Sequence, residues 1–164
     1  MIPLAYVALG SNLSDPLKQL RQARQGLRAL GETAGYSSLW RTTPVGGPPG
    51  QDNFLNAVAV LRPRTDDPEG FLEHLLQLEA AQGRTREVRW DARTLDLDLL
   101  SWGERVLGTP NLTLPHPRLL TRTFVLAPLC EVAPAWRHPL TGQRACGVLR
   151  TLPPEGIKKT TLRW

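Results

Sequence analysis

The segment at residues 95–100 reads Leu-Asp-Leu-Asp-Leu-Leu, and this strict alternation of apolar and acidic residues constrains the fold more than any other feature. A period of two predicts a β-strand, on which Asp96 and Asp98 leave the same face and Leu95, Leu97 and Leu99 leave the other. On a helix the two carboxylates would point in nearly opposite directions. Trp102-Gly103 closes the predicted strand, so the chain is expected to build a sheet around it.

Other apolar patterns predict further strands and helices. Strands are predicted at residues 4–9, 35–41 and 53–61, and helices at 16–30, 68–82 and 121–132, with a short final strand in the tail. The first helix has Asp15 as its N-cap, Pro16 at its first position and Gly31 just past its end. Because strands and helices interleave, the sequence predicts a sheet covered by helices.

The predicted strand at 53–61 is apolar on both faces except at one position. Phe54, Asn56, Val58 and Val60 share one face, and Asn56 is its polar member. The preceding segment, 42–50, is too rich in proline and glycine to form a central strand and is expected to be a loop.

Length and composition limit the class of protein. A chain of 164 residues with 41% hydrophobic residues is expected to form one globular domain, residues 1–164. The sequence shows no basic leader before an apolar segment and no run of about 20 apolar residues. We therefore expect a cytoplasmic protein with no membrane partner.

The cysteines and histidines suggest neither a disulfide nor a zinc site. Cys130 and Cys146 lie in apolar surroundings without CxxC spacing, which favours buried free thiols. The histidines at 74, 116 and 138 form no HxH or HExxH pattern.

The basic charge suggests a polyanionic ligand but does not identify it. The net charge is +5, and 17 of the 20 basic residues are arginine, whose planar guanidinium can bind two phosphate oxygens. Such a balance suits nucleic acid or a small polyphosphate equally, and genome composition can also produce an arginine bias.

Two neighbouring carboxylates in a partly buried place repel each other, so one must be protonated or both must be neutralised by a cation. Without His or Cys nearby, Asp96 and Asp98 favour Mg²⁺; the alternative is an exposed polar face of an edge strand.

Four arginines precede the pair, at positions 84, 86, 89 and 93, and could bind phosphate or form a solvated basic loop. The sequence has no GxxxxGK[ST] or GxGxxG motif, so the phosphates are not expected at a glycine-rich helix start. GxSxG and any Cys/His nucleophile arrangement are also missing, so direct in-line transfer to a hydroxyl is the simplest remaining mechanism.

Four motifs in order link the chain to a known family: Ala-Leu-Gly-Ser-Asn-Leu at 8–13, Arg-Thr-Thr-Pro at 41–44, Asn-Phe-Leu-Asn-Ala at 53–57, and Arg-Thr-Leu-Asp-Leu-Asp-Leu-Leu at 93–100. With these motifs the chain resembles the 6-hydroxymethyl-7,8-dihydropterin pyrophosphokinases of folate biosynthesis over residues 4–164. The resemblance implies an α/β (α+β) ferredoxin-like sandwich, a mainly antiparallel sheet covered by helices, with mobile active-site loops. It also implies that the pterin hydroxymethyl oxygen attacks the β-phosphorus of ATP and releases AMP.

The resemblance further implies roles for individual residues. Asp96 and Asp98 would hold two Mg²⁺ ions, one between the α- and β-phosphates and one between the β- and γ-phosphates, where it could lower the pKa of the acceptor hydroxyl. The catalytic set would be Arg84, Arg93, Asp96 and Asp98. The ATP-binding set would be Arg84, Arg86, Arg93, Leu99, Thr113, His116 and Arg122. The pterin-binding set would be Thr43, Pro44, Val45, Phe54, Asn56, Trp90 and Phe124, with the two phenylalanines on either side of the ring and Asn56 at its polar edge.

Some positions depart from the family pattern. The loop at 84–90 is one residue shorter than in well-known members, and Glu87 or Val88 stands where lysine is common. Asp91 stands in place of a glycine and Asn111 in place of an arginine that contacts nucleotide, so neither is given a role.

Two other functions compete with this one. A single-strand nucleic-acid-binding module shares the fold class and the basic charge, but Asp96 and Asp98 would oppose a phosphate backbone. A different metal-dependent nucleotidyl or phosphoryl transferase could use the same carboxylate pair. The expected partners are ATP and the pterin alone, without nucleic acid, and the expected state is a monomer.

Overall fold

The computed structural model of the protein describes residues 2–12, 15–42, 53–83, 95–153 and 156–164. The strands in these ranges are β1 (Ala5–Ser11), β2 (Gly31–Tyr36), β3 (Trp40–Thr42), β4 (Phe54–Pro63), β5 (Asp96–Trp102), β6 (Leu107–Gly108), β7 (Thr113–Leu114) and β8 (Ile157–Lys159). The α-helices there are α1 (Pro16–Leu27), α2 (Pro68–Ala81), α3 (Thr123–Val132) and α4 (Ala145–Leu149). No helix in this part of the chain is long and apolar enough to cross a membrane.

The main sheet is antiparallel and has the order β5-β1-β4-β3-β8. Strand β2 also pairs with β4, further along it than β3 does. Strands β6 and β7 form a separate two-stranded ribbon. Strand β5, which carries the alternating motif, therefore lies at one edge of the sheet that the structure describes.

Helices cover both faces of the sheet and enclose two cores. On the first face, Leu20, Leu27 and Leu75 from α1 and α2 pack against residues such as Leu97 and Leu99. We call this the α1–α2 face. On the second, the α3–α4 face, the core consists of Ala8, Val58, Leu100, Leu119, Val125, Leu126, Leu129, Trp136, Ala145 and Val148. The prediction of an antiparallel sheet covered by helices is confirmed.

Helix α1 begins as predicted but ends earlier. The Asp15 side chain accepts a hydrogen bond from the Lys18 amide at 3.3 Å, and Pro16 is the first helical residue. The prediction that Gly31 caps the helix is wrong, because α1 ends at Leu27 and Gly31 begins β2. A Cβ atom at Gly31 would lie 2.3 Å from the Arg62 carbonyl oxygen, so a close approach between strands is what requires glycine.

Several other predicted boundaries need correction. The single strand predicted at 35–41 is two strands, β2 and β3, with a break where the Ser37 amide donates to the Val58 carbonyl. The helix predicted at 121–132 begins at Thr123, because Leu119–Thr121 form a 3-10 turn. Helix α2 confirms its prediction and is followed by Gly83 at φ 86°. Strands β6 and β7 and helix α4 were not predicted.

The prediction of two buried free thiols is wrong, because Cys130 and Cys146 form a disulfide with a Cα–Cα distance of 5.0 Å. Cys130 belongs to α3 and Cys146 to α4, and the packing of these two helices brings the sulfurs together. Their spacing in the sequence carries no sign of this contact.

Candidate active site

A pocket of about 250 Å³ opens on the α3–α4 face, next to the alternating motif. Its walls come from β1, β3, β4, β5, and the start of α3. The lining residues are Ala8, Leu9, Gly10, Thr42, Phe54, Asn56, Asp96, Asp98, Arg122, Phe124 and Val125. Residues from the first sequence motif, at 8–13, and the last, at 93–100, therefore line the same pocket.

The strand register leaves space above the middle of the pocket floor. Gly10 on β1 stands directly between Asp96 on β5 and Asn56 on β4. In the next row Ala8 stands between Asp98 and Val58. Strand β1, which lies between β5 and β4, thus contributes no side chain at Gly10 and only a methyl group at Ala8, and the polar groups on either side can reach a common ligand.

Gly10 cannot easily be replaced. A Cβ atom there would lie 2.9 Å from Oδ1 of Asn56, closer than Cβ contacts normally allow. The Asn56 side chain is held in turn, because its Nδ2 donates to Oγ1 of Thr42 at 2.7 Å. Both polar side chains are buried, so this hydrogen bond fixes the amide and leaves Oδ1 directed toward Gly10.

At the other end of the pocket a cation faces the carboxylates. Nη1 of Arg122 lies 3.9 Å from Oδ2 of Asp98, a long ion pair between two partly exposed side chains. The Arg122 guanidinium carbon also lies 5.5 Å from the ring centroid of Phe124, within the range of a cation–π contact. Such a partly exposed pair is weak, so Arg122 can turn toward an anionic ligand at little cost.

His116 stands beside this end of the pocket without lining it. Its amide donates to the Leu100 carbonyl at 2.8 Å, and its Nδ1 accepts from the Arg118 amide at 3.1 Å. Burial lowers the pKa of His116 below its ordinary value, and the charges of Arg122 and Arg118 act in the same direction, although Asp98 opposes them. The imidazole is therefore neutral near pH 7, with Nε2–H as its donor.

The carboxylate pair fits a hard divalent cation. Asp96 and Asp98 are each partly exposed at the pocket, and both leave the α3–α4 face of β5. Two oxygen donors that leave room for phosphate and water are typical of Mg²⁺ sites. Among the described residues no cluster of three or more His, Cys, Asp or Glu side chains could hold a metal by itself.

The structure brings together Phe54, Asn56, Asp96, Asp98, Arg122 and Phe124 among the predicted site residues. Leu99 lies on β5 with its side chain in the core of the α1–α2 face, so only its backbone could meet a nucleotide. Thr113 is exposed on β7 and does not line the pocket. Thr43, Pro44, Val45, Arg84, Arg86, Trp90 and Arg93, with most of the two loops predicted around them, lie outside the described residues.

Sequence reasoning missed several lining residues. Gly10 belongs to a motif that was recognised, but it was given no role; Ala8 and Val125 carry no chemical signal of their own. Thr42 could have been found, because it precedes a predicted pterin-binding residue and Asn56 needs a partner.

Comparison with known proteins identifies the family of the chain. The profile of the family described as 7,8-dihydro-6-hydroxymethylpterin-pyrophosphokinase (HPPK) matches residues 6–134. The 2-amino-4-hydroxy-6-hydroxymethyldihydropteridine pyrophosphokinase of Pseudomonas aeruginosa is 42% identical over 161 residues, covering 97% of this chain and 98% of the relative. The Bacillus subtilis protein of the same name is 44% identical over 131 residues, covering 79% and 77%.

Solved structures agree on the fold. A crystal structure of Plasmodium falciparum HPPK-DHPS aligns with a TM-score of 0.73 at 12% identity, over 92% of this chain. At that identity the likeness shows the fold alone. The chain spans 43% of the length of that solved chain.

Proposed function

The chain belongs to the 7,8-dihydro-6-hydroxymethylpterin-pyrophosphokinase family, and we infer that it transfers pyrophosphate to the hydroxymethyl group of 6-hydroxymethyl-7,8-dihydropterin in folate biosynthesis. Family membership implies ATP as the co-substrate, and the transfer would release AMP. One observation carries the assignment to this pocket: two phenylalanines, one buried amide and two carboxylates from three distant parts of the chain converge on it.

We propose that the pterin binds at the end formed by β3 and β4. Phe54 and Phe124 would supply the two aromatic faces, whose stacking favours a flat heterocycle. Because Nδ2 of Asn56 is already held by Thr42, its Oδ1 would accept a hydrogen bond from the polar edge of the ring. Thr43, Pro44, Val45 and Trp90 are proposed to complete the pterin site.

The phosphates are proposed to bind at the β5 end. Asp96 and Asp98 would hold two Mg²⁺ ions, which when bound neutralise phosphate charge and lower the pKa of the acceptor hydroxyl. Arg122 lies beside Asp98 and would bind a phosphate oxygen, and neutral His116 would donate from Nε2. Arg84, Arg86, Arg93, Leu99 and Thr113 are proposed as further nucleotide contacts, with Arg84 and Arg93 stabilising charge during transfer.

We also propose that residues 1–164 act as one pyrophosphokinase domain, as a cytoplasmic monomer whose partners are these two small molecules. The relative in Pseudomonas aeruginosa supports this extent, because the alignment covers 98% of it. Nucleic acid is not expected to bind, since two carboxylates line the pocket.

Product identification tests the function. The protein is incubated with Mg²⁺, ATP and the hydroxymethyl dihydropterin, and the nucleotides are separated by anion-exchange chromatography, with a control that lacks the pterin. We expect AMP and a pterin diphosphate only in the complete mixture. Release of ADP would instead show a phosphoryl transferase. A steep salt dependence of binding to random RNA would show a nucleic-acid-binding module.

A further inference from the structure

A buried carboxylate lies behind the strand that carries the acidic pair. Glu79, in the last turn of α2, is 3% exposed, and its Oε2 accepts a hydrogen bond from the Leu97 amide at 2.7 Å. A glutamate is rarely buried to this degree unless its charge is compensated by hydrogen bonds or partners. A short hydrogen bond to a backbone amide is one such compensation.

The position of Leu97 gives this hydrogen bond its significance. Leu97 stands between Asp96 and Asp98, and its side chain points into the α1–α2 face, opposite to theirs. Strand β5 pairs with β1 on one side, and amides of alternate residues in an antiparallel strand point toward the partner or away from it. The carboxylate of Glu79 provides an acceptor for the amide midway between the two aspartates, on the edge strand of the sheet in the described residues.

Glu79 is not a third metal ligand for the same site. It reaches β5 from α2, which covers the α1–α2 face, whereas Asp96 and Asp98 line the pocket on the other face. Glu79 does not line that pocket. It therefore touches the backbone behind the pair and not the ligand in front of it.

The end of α2 is anchored on a second side as well. Nε2 of Gln82 donates to both the carbonyl oxygen and Oε1 of Gln19 on α1, each at 2.9 Å. The last turn of α2 is thus hydrogen-bonded to both α1 and β5, which holds the backbone that carries Glu79 in place.

We propose that Glu79 is a positioning residue for the reaction: its carboxylate holds the Leu97 amide and thereby sets the direction of the Asp96 and Asp98 carboxylates. This inference rests on the proposed role of those aspartates in binding Mg²⁺. Groups that orient metal ligands from behind typically matter by about 10–100-fold in metal affinity or activity.

The test compares three variants. Glu79→Met removes the acceptor at similar volume, and Glu79→Gln keeps an oxygen but loses the charge. Asp67→Ala is the matched control, because Asp67 also accepts a backbone amide, that of Gly70 at 3.0 Å, but at the other end of the same helix. The readouts are hydrogen exchange of the Leu97 amide by NMR, and calorimetric binding of a non-hydrolysable ATP analogue at a series of Mg²⁺ concentrations.

For Glu79→Met we expect faster exchange at Leu97 and a Mg²⁺ requirement raised about 10–100-fold. Pterin affinity should stay within about twofold, because Phe54 and Asn56 lie on another strand. Asp67→Ala should leave Leu97 exchange and the Mg²⁺ requirement unchanged. If Glu79→Met does not fold, Glu79→Gln carries the test through a smaller increase in the Mg²⁺ requirement.

A folded Glu79 variant with the wild-type Mg²⁺ requirement would overturn the role of Glu79 alone. An equal increase in the Asp67→Ala control would also overturn it, because the effect would then be one of helix stability. A wild-type protein that binds the analogue equally well without Mg²⁺ would overturn the proposed metal site itself, a separate result.

Discussion

The two faces of the sheet use the same strands for opposite purposes. On the α1–α2 face, β1, β4 and β5 present residues such as Leu9, Ala57 and Leu97, all buried under two helices. On the α3–α4 face, positions next to these hold Gly10, Asn56 and Asp96, and they line a pocket. Because successive side chains on a strand point to opposite faces of the sheet, neighbouring residues belong to a closed core on one side and to the pocket on the other.

The difference teaches where stability and function lie in this molecule. The closed face buries large aliphatic side chains and supports the strands from behind. The open face is wholly apolar where α3 packs on it, at residues such as Val58 and Leu100, whereas the pocket combines apolar and polar side chains. Truncation of apolar side chains on the closed face should therefore change unfolding, and substitution of polar side chains in the pocket should change turnover.

The largest effect is expected on the open face. Asp96→Asn or Asp98→Asn should lower kcat by about three orders of magnitude, the scale of several kcal/mol of lost charge stabilisation, with an unchanged melting temperature. Steady-state AMP release at saturating Mg²⁺ measures this. Asp66→Asn is the control, because Asp66 accepts from Nε1 of Trp102 at the far end of β5 and should leave kcat unaltered. A near-normal rate in either aspartate variant would exclude that residue as a ligand.

The matching change on the closed face is Leu75→Ala. Leu75 is fully buried in α2, so its truncation should reduce the free energy of unfolding by about 2–5 kcal/mol. The kcat per folded molecule should not change at a temperature where the variant is folded. Urea unfolding and active-site titration measure the two quantities separately. A fall in kcat as large as that of the aspartate variants would remove the distinction between the faces.

A smaller effect is expected at Gly10, on the pocket floor of the open face. Gly10→Ala places a Cβ atom 2.9 Å from Oδ1 of Asn56, which should weaken pterin binding by about 1–3 kcal/mol because the amide must move. Gly108→Ala serves as the control, since nothing lies within 4 Å of the atom it adds. Pterin affinities of the two variants, measured by fluorescence titration, should differ accordingly. Equal affinities would mean that Asn56 moves without cost.

The smallest effect concerns pH and lies away from the pocket. Burial lowers the pKa of His138 below its ordinary value of 6.5, and its Nδ1 accepts the amides of Leu140 and Thr141. As the pH falls, His138 is therefore protonated at a higher pH in the unfolded chain than in the folded protein. The stability that the neutral imidazole contributes is fully present above pH 6.5 and decreases as the pH falls toward the folded pKa. His138→Asn should reduce the loss of melting temperature between pH 7 and pH 5. An unchanged slope would assign the pH dependence to other groups.

Much of the sheet was predictable from local patterns. The alternation around Asp96 and the double-faced apolar segment of β4 directly predict strands, and Asp15-Pro16 is a reliable helix start. The prediction of a helix end at Gly31 was wrong because glycine suits both a helix end and a close approach between strands. Only the position of the partner strand shows which of the two roles applies. Helix α4 has five residues and no side-chain cap, so it lacks the usual signals.

The site was predictable where a residue's chemistry is unusual for its place. Two carboxylates or one amide on an apolar strand face are such signals. Phe124 and Arg122 came from family resemblance alone, because an aromatic near a helix start is ordinary core. The disulfide and the contact of Glu79 with Leu97 depend on tertiary packing, which residue spacing does not reveal.

The most direct test of the central claim is whether the two ends of the pocket act as one site. Pterin is titrated calorimetrically into the protein alone, and then in the presence of Mg²⁺ and a non-hydrolysable ATP analogue. We predict tighter pterin binding with the analogue by about 1–3 kcal/mol, roughly 5–150-fold, and loss of this gain in Asp98→Asn. Equal pterin affinity in both titrations of the wild-type protein would contradict the account.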